Sequence, residues 1–144
     1  MIDREKIENL LSKLDAYVQS LKEIQNLSIG EYLNEKRNIY SGRYLLQISI
    51  ESCINISNHI VSRMKYGLPK EYADAFRLLN KNDIISNELL EKLILMTRFR
   101  NRVVHLYWDI DDSYVFDLVN NNLVDIIEFK TSIKKYLKNE ELKA

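Results

Sequence analysis

The sequence predicts an all-α fold, a bundle of about five helices. Three glycines and one proline in 144 residues leave few places for sharp turns. Apolar residues recur every three or four positions along nearly the whole chain, which is the period of an amphipathic helix. With 46% hydrophobic residues, a chain of this length can bury a core of its own, so residues 1–144 are predicted to form a single domain.

The first two predicted helices span about residues 3–25 and 38–65, with a turn near residues 28–30 between them. The first carries one apolar stripe, with lysines and glutamates opposite. Gly67 and Pro69 are stop signals for the second helix. The middle of the second, residues 44–54, is apolar on more than one side. A monomer is not expected to cover it, which indicates a homodimer.

Three further helices complete the predicted bundle. A short helix covers about residues 70–79, and Ser86 is placed to cap the next one. The acidic turn at residues 109–112 is expected to cap a last helix that ends near Leu137. The predicted core positions of these last two helices are Leu89, Leu93, Met96, Phe99 and Val103, then Val115, Leu118, Ile126, Ile133 and Tyr136.

Composition excludes several classes of protein. Basic and acidic residues balance at 21 each, so contact with a nucleic acid must come from a local patch and not from the field of the whole molecule. Neither the apolar core of a signal peptide nor a membrane-length apolar run occurs, so a cytoplasmic location is expected. Cys53 is the only cysteine and should pack as a small hydrophobe. With only two histidines, His59 and His105, a structural zinc site is not expected, nor is any other cofactor.

Other familiar sites fail on their spacing. Asp109, Asp111 and Ser113 resemble the start of a calcium loop, but Tyr114 stands where glycine is needed and Asn120 where glutamate is needed. The glycines are too far apart for a phosphate-binding loop. No serine and carboxylate are spaced to form a nucleophile triad with a histidine.

Residues 98–108 hold the strongest candidate site. An imidazole has an ordinary pKa of about 6.5 and exchanges protons at neutral pH, while guanidinium groups hold phosphate charge. An imidazole close to guanidinium groups in the sequence suits the chemistry of phosphodiester bonds. A structural alternative is that Arg98 and Arg102 only complement the helix dipole and pair with acidic residues of the turn at 109–112. Tyr107, in the same alternative, is a boundary aromatic beside Trp108.

Residues 99–111 resemble the signature of HEPN domains, R-x-x-x-x-H, in the extended form R-N-x-x-V-H-x-Y of the HepT-like toxins of prokaryotic toxin–antitoxin pairs. Residues 50–60 resemble the long-helix motif of that family, and residues 69–76 resemble its short third helix. The resemblance covers roughly residues 44–129, in the same order and spacing. It implies a HEPN-type helical bundle that forms a two-fold homodimer.

The resemblance also implies a metal-independent endoribonuclease, in which the ribose 2′-OH attacks the adjacent phosphorus and leaves a cyclic phosphate. His105 would act as general acid or base, and Arg100 would stabilise the transition state. Asn101 would orient the imidazole or bond a phosphate. Arg102 would follow the RNA backbone, with Arg98 adding positive charge. Because one imidazole cannot easily serve both oxygens, two copies facing each other across a dimer axis would form a composite site.

The family further implies a cognate MNT-type nucleotidyltransferase antitoxin, which silences the toxin by transferring AMP to Tyr107. Two positions depart from the family pattern: Asn55 replaces a residue that is often acidic, and Arg98 one that is commonly small. The first bears on how the site is oriented, and the second on RNA binding or crowding at the dimer axis. One alternative is a non-catalytic helical dimer that binds and supports a nucleotidyltransferase. Another is a helical bundle with no role in nucleic-acid or nucleotide binding.

Overall fold

Six α-helices make up the chain between residues 2 and 143, which are the residues that this computed structural model describes, apart from the side chain of Tyr107. The helices are α1 Arg4–Gln25, α2 Ile29–Leu33, α3 Lys36–Met64, α4 Tyr72–Lys81, α5 Asn87–His105 and α6 Asp112–Lys143, with a 3-10 helix at Tyr107–Asp109. No strand occurs among the described residues, so the predicted all-α class is confirmed. None of these helices is sufficiently long and apolar to cross a lipid bilayer.

Helix α3 lies at the centre of the bundle and contacts each of the other five α-helices. This position explains its apolar excess. Leu46, Ile50, Cys53 and Ile54 are all buried within one chain, and of residues 44–54 only Tyr44 is largely exposed. The expectation that a monomer could not cover this stretch was therefore wrong, because five helices surround α3. A homodimer needs support from another surface.

The predicted apolar stripes form the core. Every predicted core position on α5 and α6 is buried, as is the α1 stripe apart from the partly buried Leu10. Cys53 is also buried, as predicted, and burial raises the pKa of its thiol far above the ordinary value. The side chains that pack between helices include an edge-to-face pair of rings, Phe76 and Phe129.

The segment predicted as a turn near residues 28–30 is instead the start of the short helix α2. Ser28 accepts a hydrogen bond from the Glu31 N–H at 3.1 Å, and the Glu31 carboxylate accepts one from the Ser28 N–H at 2.9 Å. This reciprocal capping stabilises a helix of only five residues. Helix α2 in turn inserts Tyr32 into the core, where burial, followed by the charge of Asp112, raises the pKa of the phenol to about 12.

Gly42 on α3 makes room for the Tyr32 ring. A methyl group on Gly42 would overlap the tyrosine hydroxyl and lie 2.9 Å from Cζ. The ring is fully buried against Phe116, with 5.1 Å between ring centroids, and its hydroxyl lies 3.4 Å from the Ile39 carbonyl oxygen. Little space remains for it to move.

Gly42→Ala is therefore expected to destabilise the protein, although the same change inside a helix ordinarily stabilises by about 1 kcal/mol. Overpacking typically costs about 1–3 kcal/mol, and because the fully buried Tyr32 ring has little space to move, the cost here should exceed that gain. Denaturant unfolding would measure the difference. Gly30→Ala is the matched control, because its nearest neighbouring atom is 3.9 Å away and no overlap arises. Equal or higher stability of Gly42→Ala would contradict the packing described here.

Two predicted helix caps are present, and one predicted helix end is wrong. Ser86 caps α5 by accepting from the Leu89 N–H at 3.1 Å. Within the acidic turn, Asp111 accepts from the Ser113 N–H at 2.9 Å at the start of α6. Helix α6 continues to Lys143, beyond the predicted end near Leu137.

Candidate active site

The candidate site lies at the C-terminal end of α5. After His105 the backbone leaves the helix, since Leu106 has φ −133° and ψ 44°. The Leu106 N–H still donates to the Arg102 carbonyl oxygen at 2.7 Å, and a single 3-10 turn then leads to α6. An ion pair holds the start of α6, on the far side of this turn. Arg43 of α3 donates to both carboxylate oxygens of Asp112, at 2.7 and 2.9 Å.

Arg100 is held by three side chains. Its Nε donates to Glu51 Oε1 at 3.0 Å and its Nη1 to Asn101 Oδ1 at 3.2 Å. Its Cζ lies 4.5 Å from the centroid of the Tyr72 ring, within range of a cation–π contact. Gln47 donates to the same Glu51 oxygen at 3.2 Å. With only 13% of its side chain exposed, Arg100 is oriented before any ligand binds.

His105, in contrast, is exposed, and its imidazole bonds to no other described side chain. Five positions along an α-helix correspond to a rotation of about 140°, so Arg100 and His105 project from different faces of α5. The structure brings the two onto one helix but does not bring their functional groups into contact within one chain. A single chain therefore presents an oriented arginine and a solvent-accessible imidazole on separate faces.

The other predicted side chains lie in different surroundings. Arg102 Nη2 pairs with Asp109 Oδ2 at 3.1 Å, as the structural alternative predicted, but both side chains are more than half exposed and such a pair contributes little stability. Arg98 is exposed and forms no ion pair with any residue that the structure describes. Asn101 turns its Oδ1 toward Arg100 and not toward His105.

Tyr107 begins the 3-10 turn, but its side chain lies outside the described part of the chain. Three hydrophobic residues close to it in the sequence are exposed. Trp108 is 70% exposed, Leu106 43% and Val104 39%, although all three are hydrophobic. Their exposed side chains offer apolar area that a partner could cover.

Glu51 and Tyr72, which contact Arg100, had no role in the sequence-based prediction. One signal could have identified Glu51, because it is the only charged residue among the eleven at positions 44–54. Glu51 also bears on the departure at Asn55. Asn55 is exposed, whereas Glu51, one turn earlier on α3, supplies the carboxylate that Arg100 contacts. No signal of comparable clarity marks Tyr72.

The described residues contain no group of three or more His, Cys, Asp or Glu side chains arranged to hold a metal ion. Four polar side chains on the last turns of α5 are cationic or amide groups, namely Arg98, Arg100, Asn101 and Arg102. These groups suit the binding of a phosphate by hydrogen bonds and charge.

Comparison with known protein families identifies the chain. The family model described as "Ribonuclease HepT-like" matches residues 14–133. The chain belongs to the HepT-like ribonuclease family. The match includes Arg100, His105 and Tyr107 and confirms the family predicted from the sequence.

Two relatives within the HepT-like family are nucleases by name. The tRNA nuclease HepT of Aphanizomenon flos-aquae (strain 2012/KM1/D3) is 32% identical over 131 residues, which are 91% of this chain and 89% of that protein. The mRNA nuclease HepT of Shewanella oneidensis is 30% identical over 127 residues, covering 87% of this chain and 96% of the relative.

A solved structure shares both the fold and part of the sequence. The tri-AMPylated HEPN toxin of Shewanella oneidensis, in complex with its MNT antitoxin, superposes with a TM-score of 0.81 at 28% identity. The alignment covers 94% of this chain and 99% of that one. The HEPN-type helical bundle predicted from the sequence is thereby confirmed.

Proposed function

We propose that this HepT-like protein is the toxin of a HEPN/MNT toxin–antitoxin pair and cleaves RNA without a metal ion. The observation that carries the proposal is that one helix of a ribonuclease family member holds both an oriented Arg100 and an exposed His105. In the proposed reaction the ribose 2′-oxygen bonds to the adjacent phosphorus as the bond from phosphorus to the 5′-oxygen breaks. The products are a 2′,3′-cyclic phosphate and a free 5′-OH.

His105 is the proposed proton carrier. A neutral imidazole accepts the 2′-OH proton, and an imidazolium gives a proton to the departing 5′-oxygen. Arg100 stabilises the charge that builds on the phosphoryl oxygens. Its hydrogen bonds to Glu51 and Asn101 leave part of the guanidinium fork for phosphate while limiting its freedom to rotate. Asn101, Arg102 and Arg98 are proposed to contact RNA.

A homodimer completes this site in the proposal. Two protonation states are needed at once, and the Arg100 and His105 of one chain lie on different faces of α5. A second chain that packs against Val104, Leu106 and Trp108 would cover their exposed apolar surface and bring its own His105 close. Light scattering on the purified protein tests this directly, and a monomer at micromolar concentration would contradict a site shared between chains.

The decisive experiment incubates the purified protein, confirmed by mass spectrometry to be free of adenylyl groups, with total RNA in EDTA. Cleavage that leaves cyclic-phosphate ends is expected, whereas DNA should survive because it lacks the 2′-OH. Loss of cleavage in EDTA would contradict a metal-independent reaction. A well-folded dimer that cleaves no RNA but binds an MNT-type nucleotidyltransferase would instead favour a non-catalytic partner subunit.

Tyr107 is the proposed acceptor of AMP, an assignment supported by the AMPylation of the Shewanella relative. Tyr107→Phe removes the acceptor oxygen, so the variant should remain toxic and unmodified when a cognate MNT antitoxin and ATP are present. Intact-mass spectrometry and a growth assay measure the two outcomes. Tyr114→Phe, which alters a half-exposed tyrosine on α6, is the matched control and should be silenced like the parent protein. Adenylylation of Tyr107→Phe to the parental extent would contradict the assignment.

A further inference from the structure

A groove separates the start of α4 from the middle of α5 on the surface beside Arg100. Its volume is about 790 Å³, within the range of roughly 300–1,000 Å³ that small-ligand sites occupy. The residues that line it are mostly polar or charged, and two of the predicted site residues, Arg98 and Asn101, are among them. The groove is therefore continuous with the candidate active site, yet the reaction proposed above uses none of its α4 residues.

Tyr72 connects the groove to Arg100. The ring lines the groove, and the Arg100 guanidinium lies over it at 4.5 Å from the centroid. Tyr72 is nevertheless 49% exposed. A tyrosine held in this way offers a flat aromatic surface on which an unpaired base can stack, because every base has a π-face.

Two cations of the groove are available for phosphate. Neither Arg98 nor Lys70 forms an ion pair with any described residue, and both are exposed. Arg77, the third cation, is occupied by Asp74 at 2.6 Å and lies 3.7 Å from Glu71. The start of α4 is occupied as well, because the Lys70 and Glu71 N–H groups donate to Asp74 and keep the pKa of that carboxyl below its usual value. A phosphate in this groove would therefore be bound by side chains and not by these backbone N–H groups.

We propose that this groove binds the single-stranded RNA next to the bond that is cleaved, with one unpaired base stacked on Tyr72 and the flanking phosphates on Arg98 and Lys70. The inference rests on the proposed ribonuclease function and adds the form of its substrate, an unpaired strand. Asn58 and Asn101, which also line the groove, present amide groups that can bond a base edge. A duplex would keep its bases stacked on each other and away from Tyr72.

The test measures binding without cleavage. In a His105→Ala background, fluorescence anisotropy follows a labelled single-stranded oligonucleotide of 2′-O-methyl RNA, which cannot be cut at the modified positions. Tyr72→Ala should weaken binding about tenfold, because base stacking on an aromatic side chain contributes about 1–3 kcal/mol per base. Tyr72→Phe should remain within about twofold of the parent because the ring is kept. Tyr40→Ala is the matched control and should bind like the parent. Tyr40 is also exposed, and its ring centroid lies 6.0 Å from an arginine carbon, Arg43 Cζ.

A strand with abasic positions separates stacking from an indirect effect through Arg100. If a base stacks on Tyr72, then Tyr72→Ala should cost nothing further on the abasic strand. An equal loss on both strands would overturn the proposal and leave Tyr72 as a support for Arg100. Binding of free AMP that depends on Tyr72, without binding of the strand, would also overturn it and favour a nucleotide site.

Salt dependence provides a second measurement that a poorly folded Tyr72 variant cannot affect. Arg98→Ala should reduce the slope of log affinity against log salt by about 0.7, the value for one phosphate contact on a single strand. Arg37→Ala, a change on the exposed first turn of α3, should leave the slope unchanged. An unchanged slope for Arg98→Ala would contradict its phosphate contact. Because these assays involve no cleavage, their failure is distinct from a failure of the wild-type protein to cut RNA.

Discussion

Replacing His105 with alanine is expected to slow RNA cleavage by about 10²–10⁴-fold, the range that general acid–base catalysis contributes. The imidazole is exposed and bonds to no other described side chain, so the free energy of unfolding should change by no more than about 0.5 kcal/mol. Single-turnover cleavage of a labelled RNA and a denaturant titration measure the two quantities. The combination of lost activity and retained stability is the signature of a group that acts on the substrate.

His59 supplies the matched control, because it is the only other histidine in the chain. It lies on α3 near Lys6 and Asp3 of the α1 end, and desolvation, followed by the charge of Lys6, lowers its pKa. His59→Asn should cleave RNA at the parental rate. If His105→Ala cleaves as fast as His59→Asn, the proposed chemistry is wrong.

Mixed dimers of the parent with His105→Ala test whether the two chains share one site. If they do, the mixed dimers should have well below half of the parental activity.

Arg100→Ala is expected to lower the rate of RNA cleavage by about 10²–10³-fold. Removing one hydrogen-bond donor that stabilises charge in a transition state typically has an effect of this size. Unlike His105→Ala, it should also destabilise the fold. Glu51, with only 25% of its side chain exposed, would lose its charged partner and keep the hydrogen bond from Gln47, so a cost of about 1–3 kcal/mol is expected. Single-turnover kinetics and thermal unfolding distinguish the two effects.

A second substitution at Glu51 separates stability from activity in this variant. The double variant Arg100→Ala with Glu51→Gln removes the unpaired carboxylate and should regain much of the stability without regaining cleavage. Arg100→Lys keeps the charge but has no planar fork to bond Glu51 and Asn101 together, so it should retain only part of the activity. Full activity of Arg100→Ala would exclude a role for this arginine in the reaction.

The fold was largely predictable because helix period and caps are local signals. The spacing of apolar residues marked α1, α5 and α6, and Ser86 caps α5 as expected. Helix α2 was missed because five residues are too few to show a helical period, although Ser28 followed by Glu31 is a capping pattern that could have indicated it. The surroundings of α3 were misjudged because the number of helices that pack on one helix is a property of the whole fold.

The candidate site was predictable only where its residues are close in sequence. Arg100, Asn101, Arg102 and His105 lie within six positions, and the family resemblance assigned them roles. Glu51, by comparison, is 49 residues from the arginine that it contacts. No periodicity in one sequence specifies a pairing over that distance, since it arises from how α3 and α5 pack. Tyr72 was missed for the same reason, because it reaches Arg100 from a third helix.

The short connection between α5 and α6 has a consequence for how such a toxin can escape its antitoxin. It spans residues 106–111 and is anchored on one side by the end of α5 and on the other by the Arg43–Asp112 pair. Because consecutive Cα atoms are about 3.8 Å apart, the Cα atoms of Tyr107 and His105 can be separated by no more than about 7.6 Å. On the proposed function, the residue that accepts AMP, Tyr107, and the residue that transfers the proton, His105, are therefore held close together by the same short stretch of backbone. An insertion or deletion beside Tyr107 that removes the acceptor from the antitoxin's reach would also disturb the end of α5 that holds the imidazole, so escape by remodelling this part of the loop should come at the expense of toxicity.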